Sequence, residues 1–549
     1  MADSEHSTEQ NAPAKSTFGG RWRWIGGIAF LLIAAMAVLG IVVYRAEPTL
    51  RAMVIETLST RFKSKVELDA FHVSLLQGLQ VSGAGLRIFG ETDPNNYEPG
   101  FQPILNVGKF WFHMGIRDLF RSPVHVDTVY VTGLQLNLPP REHRSEMNKM
   151  GPKNGKMEII VDKLICDKAQ LVVNTLRPGK LPLEFDIENL TMTRVGPGQP
   201  MHFDANLTNP KPLGQVRSTG LFGPWQPDSP RDTAVSGTYS FDHADLATIN
   251  GLGGILSSTG KYTGILDKIV VDGSTDTPDF RIAISGHPVP LHTDFHATVD
   301  GTSGDTYLQP VRARILSSSL VANGSVVRVK DPNGHRVQLE VVMDKGKIDD
   351  LLKLAIRTDP PVMTGSIGLK TKLELLPGTA DVANRMKMTG NFQVSGAHFS
   401  NEKFQEKVDA ISSRTQGKPK TGQDVPGIVN SEMNGTFNLS QALLSFSQLQ
   451  FRIPGTEVNL AGTYSLDGNE FDFHGKARMD AKLSQMVTGW KSLLLRPVDP
   501  FFSKNGAGTE IPVKVTGTKS EPHFGVDFGH KDHDKNAAHP STESGTRPD

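Results

Sequence analysis

The chain has 549 residues, which is enough for about three average domains or for one long, extended domain. Lys and Arg together number 58, and so do Asp and Glu, so the formal charge is zero and no basic field is available to attract a phosphate backbone. Nucleic acid is therefore not an expected partner. The single cysteine, Cys166, excludes an intramolecular disulfide and a zinc site built from cysteines.

An uncharged apolar run lies near the N-terminus, from Trp24 to Tyr44. It is long enough for a helix to cross the roughly 30 Å hydrocarbon layer of a bilayer. A cleavable signal peptide is the alternative, but its apolar core is shorter, about 7 to 15 residues, and ends at a small-residue cleavage site. The run therefore predicts an uncleaved transmembrane anchor over residues 21–45. The anchor residues are Trp24, Ile28, Leu32, Met36, Leu39 and Val43.

Basic residues flank the anchor on both sides, so their distribution does not decide its orientation. Long domains are translocated largely regardless of charge, and the roughly 500 residues after the anchor are therefore expected on the far side of the membrane. Two polar segments with few apolar residues are predicted to be disordered tails. These are residues 1–20, on the cytoplasmic side, and residues 528–549.

The spacing of apolar residues after the anchor first indicates a helix and then strands. Leu50, Val54, Leu58 and Phe62 recur every four positions behind a proline, which predicts an amphipathic helix. From residue 66 onward, apolar residues mostly recur at every second position, as in a strand with one buried face. Clear examples are the stretches 201–207, 280–284 and 295–299.

Turns and short helices punctuate these predicted strands. Turn sequences at 331–334 and 467–469 each separate two alternating stretches and predict hairpins. Single apolar stripes predict short amphipathic helices at 348–356 and 483–494. A loose Gly-x-aromatic-x-apolar motif recurs at irregular intervals, which excludes a solenoid of fixed period. The motif begins at Gly237, Gly390, Gly435 and Gly462.

Sequence motifs of common enzymes are not found: there is no Walker loop, no Gly-x-Ser-x-Gly elbow and no His-Glu-x-x-His pair. One short stretch does collect metal-ligating residue types, namely His287, His292, Asp294 and His296. The last three share the polar side of the strand predicted at 295–299, which is typical of a solvated surface. We therefore expect no catalytic residue, no metal site and no cofactor.

The order of features matches a known family. The anchor is followed by Val73-Ser74-Leu75-Leu76-Gln77-Gly78-Leu79, then by residues 118–134 and by the C-terminal segments 433–437, 458–464 and 511–524. This order resembles the AsmA-like proteins of the bacterial envelope, which are related to bridge-type lipid-transfer proteins. The resemblance implies a single-pass protein of the bacterial inner membrane with most of its chain in the periplasm. In the larger relatives a curved β-sheet forms a trough with an apolar interior.

The predicted fold is mainly β: an N-terminal transmembrane helix, then an elongated, curved antiparallel β-sheet with a few short amphipathic helices. Two arrangements of the sheet are possible. Alternation alone favours a sandwich with packed apolar faces, whereas the resemblance favours an open trough. Polar stretches at 139–156 and 414–427 mark boundaries. The predicted regions are an AsmA-like N-terminal region at 46–140, a central β-rich region at 157–413 and an AsmA-like C-terminal β region at 428–527.

The resemblance implies a non-catalytic function in which the protein binds or conducts phospholipid or another envelope lipid and supports outer-membrane biogenesis. The alternative is an anchored periplasmic scaffold or adaptor that binds envelope proteins and no lipid; an enzyme is a distant third. The residues expected to line the apolar trough lie in the predicted hairpin 458–479. They are Val458, Leu460, Tyr464, Leu466, Phe471, Phe473 and Met479.

Overall fold

The structure is a computed structural model of the chain. The described residues are 47–49, 51–52, 54–56, 58–59, 65–74, 79–89, 103–115, 124–138, 159–173, 183–196, 198–226, 229–331, 334–415, 429–466, 470–481, 508–518 and 522–526. The predicted anchor, both predicted tails, the loop predicted at 139–156 and the helix predicted at 483–494 lie outside these residues. Among the described residues, no helix has both the length and the apolar character needed to cross a bilayer.

Within the described ranges, twenty-five strands form one sheet. The first thirteen are β1 (Val66–Glu67), β2 (Ala70–Ser74), β3 (Leu79–Ile88), β4 (Leu105–Met114), β5 (Val124–Leu138), β6 (Ile159–Val173), β7 (Leu183–Val195), β8 (Met201–Pro210), β9 (Leu213–Phe222), β10 (Ala234–Asp245), β11 (Leu252–Gly253), β12 (Ile255–Ile265) and β13 (Lys268–Ile282).

The remaining strands are β14 (Val289–Val299), β15 (Thr306–Ile315), β16 (Ser318–Val329), β17 (Gly334–Lys347), β18 (Met363–Leu375), β19 (Met386–Phe399), β20 (Glu432–Ser440), β21 (Leu443–Ile453), β22 (Thr456–Ser465), β23 (Glu470–Met479), β24 (Thr509–Thr518) and β25 (Pro522–Val526). The helices are α1 (Ile348–Ala355), α2 (Val382–Arg385) and α3 (Glu402–Thr415), with 3-10 turns at Pro230–Asp232 and Leu246–Thr248. The described residues between 47 and 59 are also helical, as the four-residue spacing predicts.

Most strands are hydrogen-bonded to their neighbours in sequence, in antiparallel register. At the N-terminal end β3 pairs with β1 and β2, and further on β10 pairs directly with β12 while the two-residue β11 pairs with β13. The sheet is open, since the described terminal strands do not pair with each other. The prediction of a mainly β, largely antiparallel fold is confirmed, as are both predicted hairpins.

One strand pair departs from the predicted antiparallel arrangement. Strands β5 and β6 run parallel, with Val131 beside Cys166. A parallel pair needs a crossover connection of about a dozen residues or more, because the chain must return to the same end of the sheet. Residues 139–158 separate the two strands, which is long enough for such a connection. Their polar sequence predicts a long loop but does not indicate the direction in which the chain re-enters the sheet.

The register gathers apolar side chains on one face along the whole row of strands. Directly opposed residues of paired strands lie on the same face, and along a strand residues i and i+2 share a face. We call the face that contains Phe473 the apolar face and the other the polar face. Members of the apolar face, in order across the sheet, are Val81, Phe112, Val129, Leu164, Met192, Phe203, Val216, Phe241, Val271, Phe295, Val311, Leu339, Leu369, Phe392, Phe437, Phe446, Phe473 and Val515.

Helix α1 packs on the apolar face where β17 ends. Its apolar stripe, Ile348, Leu351 and Leu352, contacts a buried cluster that includes Met343 and Val394. The helix predicted at 348–356 is therefore confirmed to within one residue.

The N-terminal end of α1 is fixed by a buried carboxylate. Asp350 accepts hydrogen bonds from the backbone N–H of Ser317 at 3.1 Å and from the hydroxyls of Ser317 and Ser318, each at 2.7 Å. Three donors satisfy a group that would be costly to bury alone. The bonds tie the helix to the turn between β15 and β16.

Helix α3 was not predicted. Its sequence is mostly polar, with Val408 buried but Ile411 43% exposed, so its apolar periodicity is weak. Tertiary contacts hold it instead: the hydroxyl of Ser412 donates to the carbonyl oxygen of Pro454 at 2.9 Å, and the Thr415 and Thr456 hydroxyls lie 3.0 Å apart. Strand β19 pairs directly with β20 across the stretch 414–427, so the sheet continues past it.

Glycines on the apolar face, including Gly435 and Gly462 of the Gly-x-aromatic motif, leave room for rings. A Cβ added at Gly435 would lie 3.0 Å from a ring carbon of Phe392, on the neighbouring strand. At Gly260 the corresponding distance to the Tyr239 ring is 2.6 Å. The rings thus lie over bare backbone, as when aromatic side chains cover glycines across a strand pair. Similar pairs are Gly83 with Phe110, Gly273 with Phe295 and Gly462 with Phe473.

We expect Gly435→Ala to lower the free energy of unfolding by about 1 to 3 kcal/mol, because the new methyl group would crowd the Phe392 ring and the carbonyl oxygen of Gln448. The matched control is Gly368→Ala on the polar face, where the nearest atom to the new Cβ is 3.5 Å away. Urea unfolding of both variants checks this. Equal stability of the two variants would show that the ring does not need the glycine.

Candidate functional site

No second layer of strands covers the apolar face in the described part of the chain. Extensive strand–strand contacts all join hydrogen-bonded neighbours, and the other close contacts are made by the short helices. The large side chains on the face are nonetheless half-buried, because they lie against one another across the strands. The ring of Phe392, for example, is 6.3 Å from that of Phe437 and 6.2 Å from that of Phe446, between centroids.

The lining residues predicted in the hairpin 458–479 lie together on this face. In the paired strands β22 and β23, Tyr464 stands opposite Phe471 and Phe473 stands opposite Gly462. The Phe473 ring also packs against Phe446 of β21, with centroids 5.8 Å apart. The residues that the register brings to one face are Val458, Leu460, Tyr464, Phe471, Phe473 and Met479. Leu466 lies just beyond β22, in the turn, where its backbone N–H donates to the carbonyl of Ala442 at 2.9 Å.

Charged and amide side chains form cross-strand pairs on the polar face. His292 Nδ1 lies 2.6 Å from Asp276 Oδ1, and His296 Nδ1 lies 2.8 Å from Asp272 Oδ1. Asp294 shares this face, 3.4 Å from His292 Nε2. The structure thus places these three members of the histidine cluster on the solvated side of β14, opposite the apolar face.

The fourth member, His287, lies apart from them. It precedes β14, and its Nε2 is buried without a hydrogen-bond partner among the described residues. Within the described ranges, no group of three or more His, Cys, Asp or Glu side chains has the geometry to hold a metal ion. The cysteine is equally isolated: burial, and secondarily the charge of Asp167, raises the pKa of Cys166 to about 11. Its thiol is therefore protonated at neutral pH and is a poor nucleophile.

The His292–Asp276 pair gives a pH-dependent contribution to stability. The hydrogen bond to the Asp276 carboxylate raises the pKa of His292. Because the folded-state pKa is above the unfolded-state value of about 6.5, the contribution is fully present below that pH and is lost as the pH rises through the folded-state pKa. We expect Asp276→Asn to return the His292 pKa towards its ordinary value in an NMR titration, whereas Asp272→Asn, beside His296, should leave it raised. A raised value in Asp276→Asn would contradict this assignment.

The ends of the strands define two rims of the sheet. We call one the Ile255 rim. It contains the start of β12 at Ile255 and the ends of β15, β17 and β19 at Ile315, Lys347 and Phe399. The other is the Leu375 rim, which includes Ile265, Thr306, Gly334 and Met386. The loop 246–254 lies at the Ile255 rim, and the loop 376–385, with helix α2, lies at the Leu375 rim.

These two loops contact each other although they belong to opposite rims. The side-chain Nδ2 of Asn250 donates to the carbonyl of Thr379 at 2.6 Å, and the N–H of Val382 donates to the carbonyl of Asn250 at 3.0 Å. Gly251 lies so close that a Cβ there would be 2.6 Å from Asp381 Oδ1. Strand twist contributes to the approach, because a rotation of about 20 to 25° per step accumulates to roughly 150° between β12 and β19 and turns the two rims towards the same side.

We expect Asn250→Ala to loosen this rim contact without unfolding the sheet, because it removes one hydrogen bond between two loops. Amide exchange at Val382 should accelerate by a few-fold to about tenfold. Hydrogen–deuterium exchange with mass spectrometry would measure it. Asn106→Ala is the control, since Asn106 makes a comparable 3.0 Å bond to Gln135 on the polar face. Unchanged exchange at Val382 in Asn250→Ala would mean that the loops do not meet in solution.

The sequence analysis did not predict a group of hydroxyl side chains that lies within the apolar face. Strands β9 to β14 place serine, threonine and tyrosine residues at positions where the alternation calls for apolar ones. The stretch 256–264 does show Ser258 and Tyr262 at positions where the alternation expects apolar residues. From the sequence alone, this pattern indicates only a weaker strand signal. These residues are Ser218, Tyr239, Ser258, Tyr262, Thr275 and Thr293.

Comparison of the chain with models of protein families, with curated proteins and with solved structures gives no match.

Proposed function

We propose that this chain is a non-catalytic lipid-binding protein of the bacterial envelope, in which the apolar face of the sheet holds acyl chains. The anchor at 21–45 would hold it in the inner membrane, and the sheet would lie in the periplasm, as the resemblance to AsmA-like proteins implies. It would bind or conduct phospholipid or another envelope lipid and so support envelope biogenesis. The observation that carries the proposal is the largely apolar face, which has no second layer of strands over it in the described part of the chain.

Leaving the apolar face in contact with water would cost free energy. Apolar surface in contact with water costs about 25 cal/mol per Å², and large apolar patches on soluble domains mark binding surfaces. A sandwich would remove the cost by packing two sheets, but all described strands belong to one sheet. Acyl chains can remove the same cost, because they are apolar along their length and adapt to the surface they cover.

The dimensions of the sheet suit this ligand. At a strand spacing of about 4.8 Å, the hydrogen-bonded row from β3 to β25 extends on the order of 100 Å. That length exceeds the roughly 30 Å hydrocarbon thickness of a bilayer, so several lipids could lie along the face. We propose that this open, uncurled sheet acts as a shallow trough on which they lie.

A charge placed on the apolar face tests the function directly. In Phe473→Glu the carboxylate could reach water through the open side of a trough, so the exported domain should remain folded while its lipid content falls. In a closed core the same charge would be buried without a partner and would cost several kcal/mol. The measurement is a thermal unfolding curve together with the mass of lipid extracted from the purified full chain.

The matched control is Lys514→Glu, which places a carboxylate on the polar face of the adjacent strand, opposite His474. Its unfolding temperature and lipid content should equal those of the wild type. Unfolding of Phe473→Glu alone, or a wild-type protein that carries no lipid, would contradict the proposal. The second result would favour a scaffold that covers the apolar face with an envelope protein.

A further inference from the structure

Six hydroxyl side chains form a belt across the apolar face between β9 and β14. We call this group the hydroxyl belt: Ser218, Tyr239, Ser258, Tyr262, Thr275 and Thr293. Ser258, Thr275 and Thr293 stand directly opposite one another on three successive strands. The two tyrosines cross from neighbouring strands towards the serines, each over a glycine. The belt thus interrupts a face that is otherwise apolar on both of its sides.

Hydrogen bonds within the belt fix the direction in which its protons point. Ser258 donates to the carbonyl of Ser274 at 2.9 Å and Ser218 to the carbonyl of Thr238 at 3.1 Å. Each serine has one proton, so when the serines donate to these carbonyls the tyrosines are the donors in the contacts Tyr239–Ser258, at 3.1 Å, and Tyr262–Ser218, at 2.6 Å. The lone pairs of both phenolic oxygens therefore remain available to accept.

The threonines add a donor. The hydroxyls of Thr275 and Thr293 lie 2.7 Å apart and share one proton in their mutual hydrogen bond, which leaves the second proton for another acceptor. Two residues along β13, Thr277 is 1% exposed, and its Oγ1 has no hydrogen-bond partner within the described structure. A buried hydroxyl without a partner is costly, so this part of the face has hydrogen-bonding capacity that the described residues do not use.

Hydrocarbon alone does not suit these groups. An acyl chain lying over the belt would remove water from the phenolic oxygens without replacing the hydrogen bonds. Burial already raises the pKa of Tyr239 and Tyr262, which keeps both phenols neutral. The apolar-face residues in register across β9 to β14 include no charged side chain. A phosphate placed here would be desolvated without a counter-charge, whereas a neutral hydroxyl would be satisfied.

We propose that the hydroxyl belt is a binding site for the polar end of a neutral, hydroxyl-bearing lipid such as a diacylglycerol. This rests on the proposed function, because it assumes that acyl chains occupy the apolar face. The lipid hydroxyl donates to a phenolic oxygen and its ester carbonyl accepts from a threonine. The acyl chains extend from the belt over the adjoining apolar strands.

The test compares lipids that differ in one group. The full chain, freed of bound lipid, is incubated with an equimolar mixture of dioleoylglycerol, the dioleate of propane-1,2-diol, which lacks only the free hydroxyl, and dioleoylphosphatidylglycerol. Mass spectrometry then quantifies the lipids that remain bound. We expect the wild type to retain dioleoylglycerol over the hydroxyl-free analogue by about tenfold, the effect of one or two hydrogen bonds.

Variants identify the belt as the cause of that preference. Tyr239→Phe combined with Tyr262→Phe, and separately Thr275→Val combined with Thr293→Val, should each reduce the preference to within about twofold. Tyr307→Phe is the control, because it removes an exposed phenol from the polar face, in β15, outside the belt and the lining residues; it should keep the wild-type preference. Thermal unfolding of each variant verifies that it is folded.

The possible results distinguish failure of the hydroxyl-belt proposal from failure of the proposed lipid-binding function. Equal binding of dioleoylglycerol and its analogue by the wild type would contradict the proposed role of the hydroxyl belt but not the proposed lipid binding. An unchanged preference in both double variants would have the same meaning. Preferential retention of dioleoylphosphatidylglycerol would overturn the neutral class of ligand. A wild type that retains none of the three lipids would overturn both the belt and the proposed function.

Discussion

The hydrogen-bonded register between strands is the constraint on which the rest of the structure depends. Because side chains alternate along each strand and opposed residues share a face, a register kept through the sheet gathers most of the large apolar side chains on one side, with exceptions such as Trp111 and Val321. A slip of one residue in β23 would move Phe473 to the polar face and Lys476 to the apolar one. The bulges between Phe241 and Ala244, and between Phe446 and Leu449, absorb extra residues so that the alternation continues on the same face.

A one-sided sheet of this kind determines where other features can lie. Ion pairs such as His292–Asp276 and Lys372–Glu340 are on the polar face, where water solvates them and where their contribution to stability is small. Helix α1 packs at the Ile255 rim, where it covers apolar side chains at the strand ends. Glycines beneath Phe392 and Phe473 allow the rings to lie close to the backbone, which keeps the apolar surface continuous. The hydroxyl belt is the exception, and for that reason it carries a separate functional proposal.

Much of this architecture could be predicted from local patterns, and the remainder depends on interactions that no local pattern encodes. The alternation in 201–207 and the stripe in 348–356 identify β8 and α1, because in both cases spacing alone determines which side chains are buried. The same alternation fits a sandwich and a single sheet equally well, so the absence of a second sheet over the described strands was not predictable from it. The parallel entry of β6 and the contact between Asn250 and Val382 depend on a long connection and on accumulated twist. Helix α3 is held by Ser412 and Thr415 rather than by an apolar stripe.

Site-specific photocrosslinking tests the central claim, that lipid occupies the apolar face, most directly. A photoreactive phenylalanine analogue replaces Phe392, at the centre of the ring cluster on this face, and in a second protein replaces Asn391, the preceding residue on the polar face. After irradiation in cells and purification, mass spectrometry identifies what is attached to each position. If lipid occupies the apolar face, we expect lipid adducts at position 392 and none at position 391. Adducts to protein alone at 392, or equal lipid labelling at both positions, would contradict it.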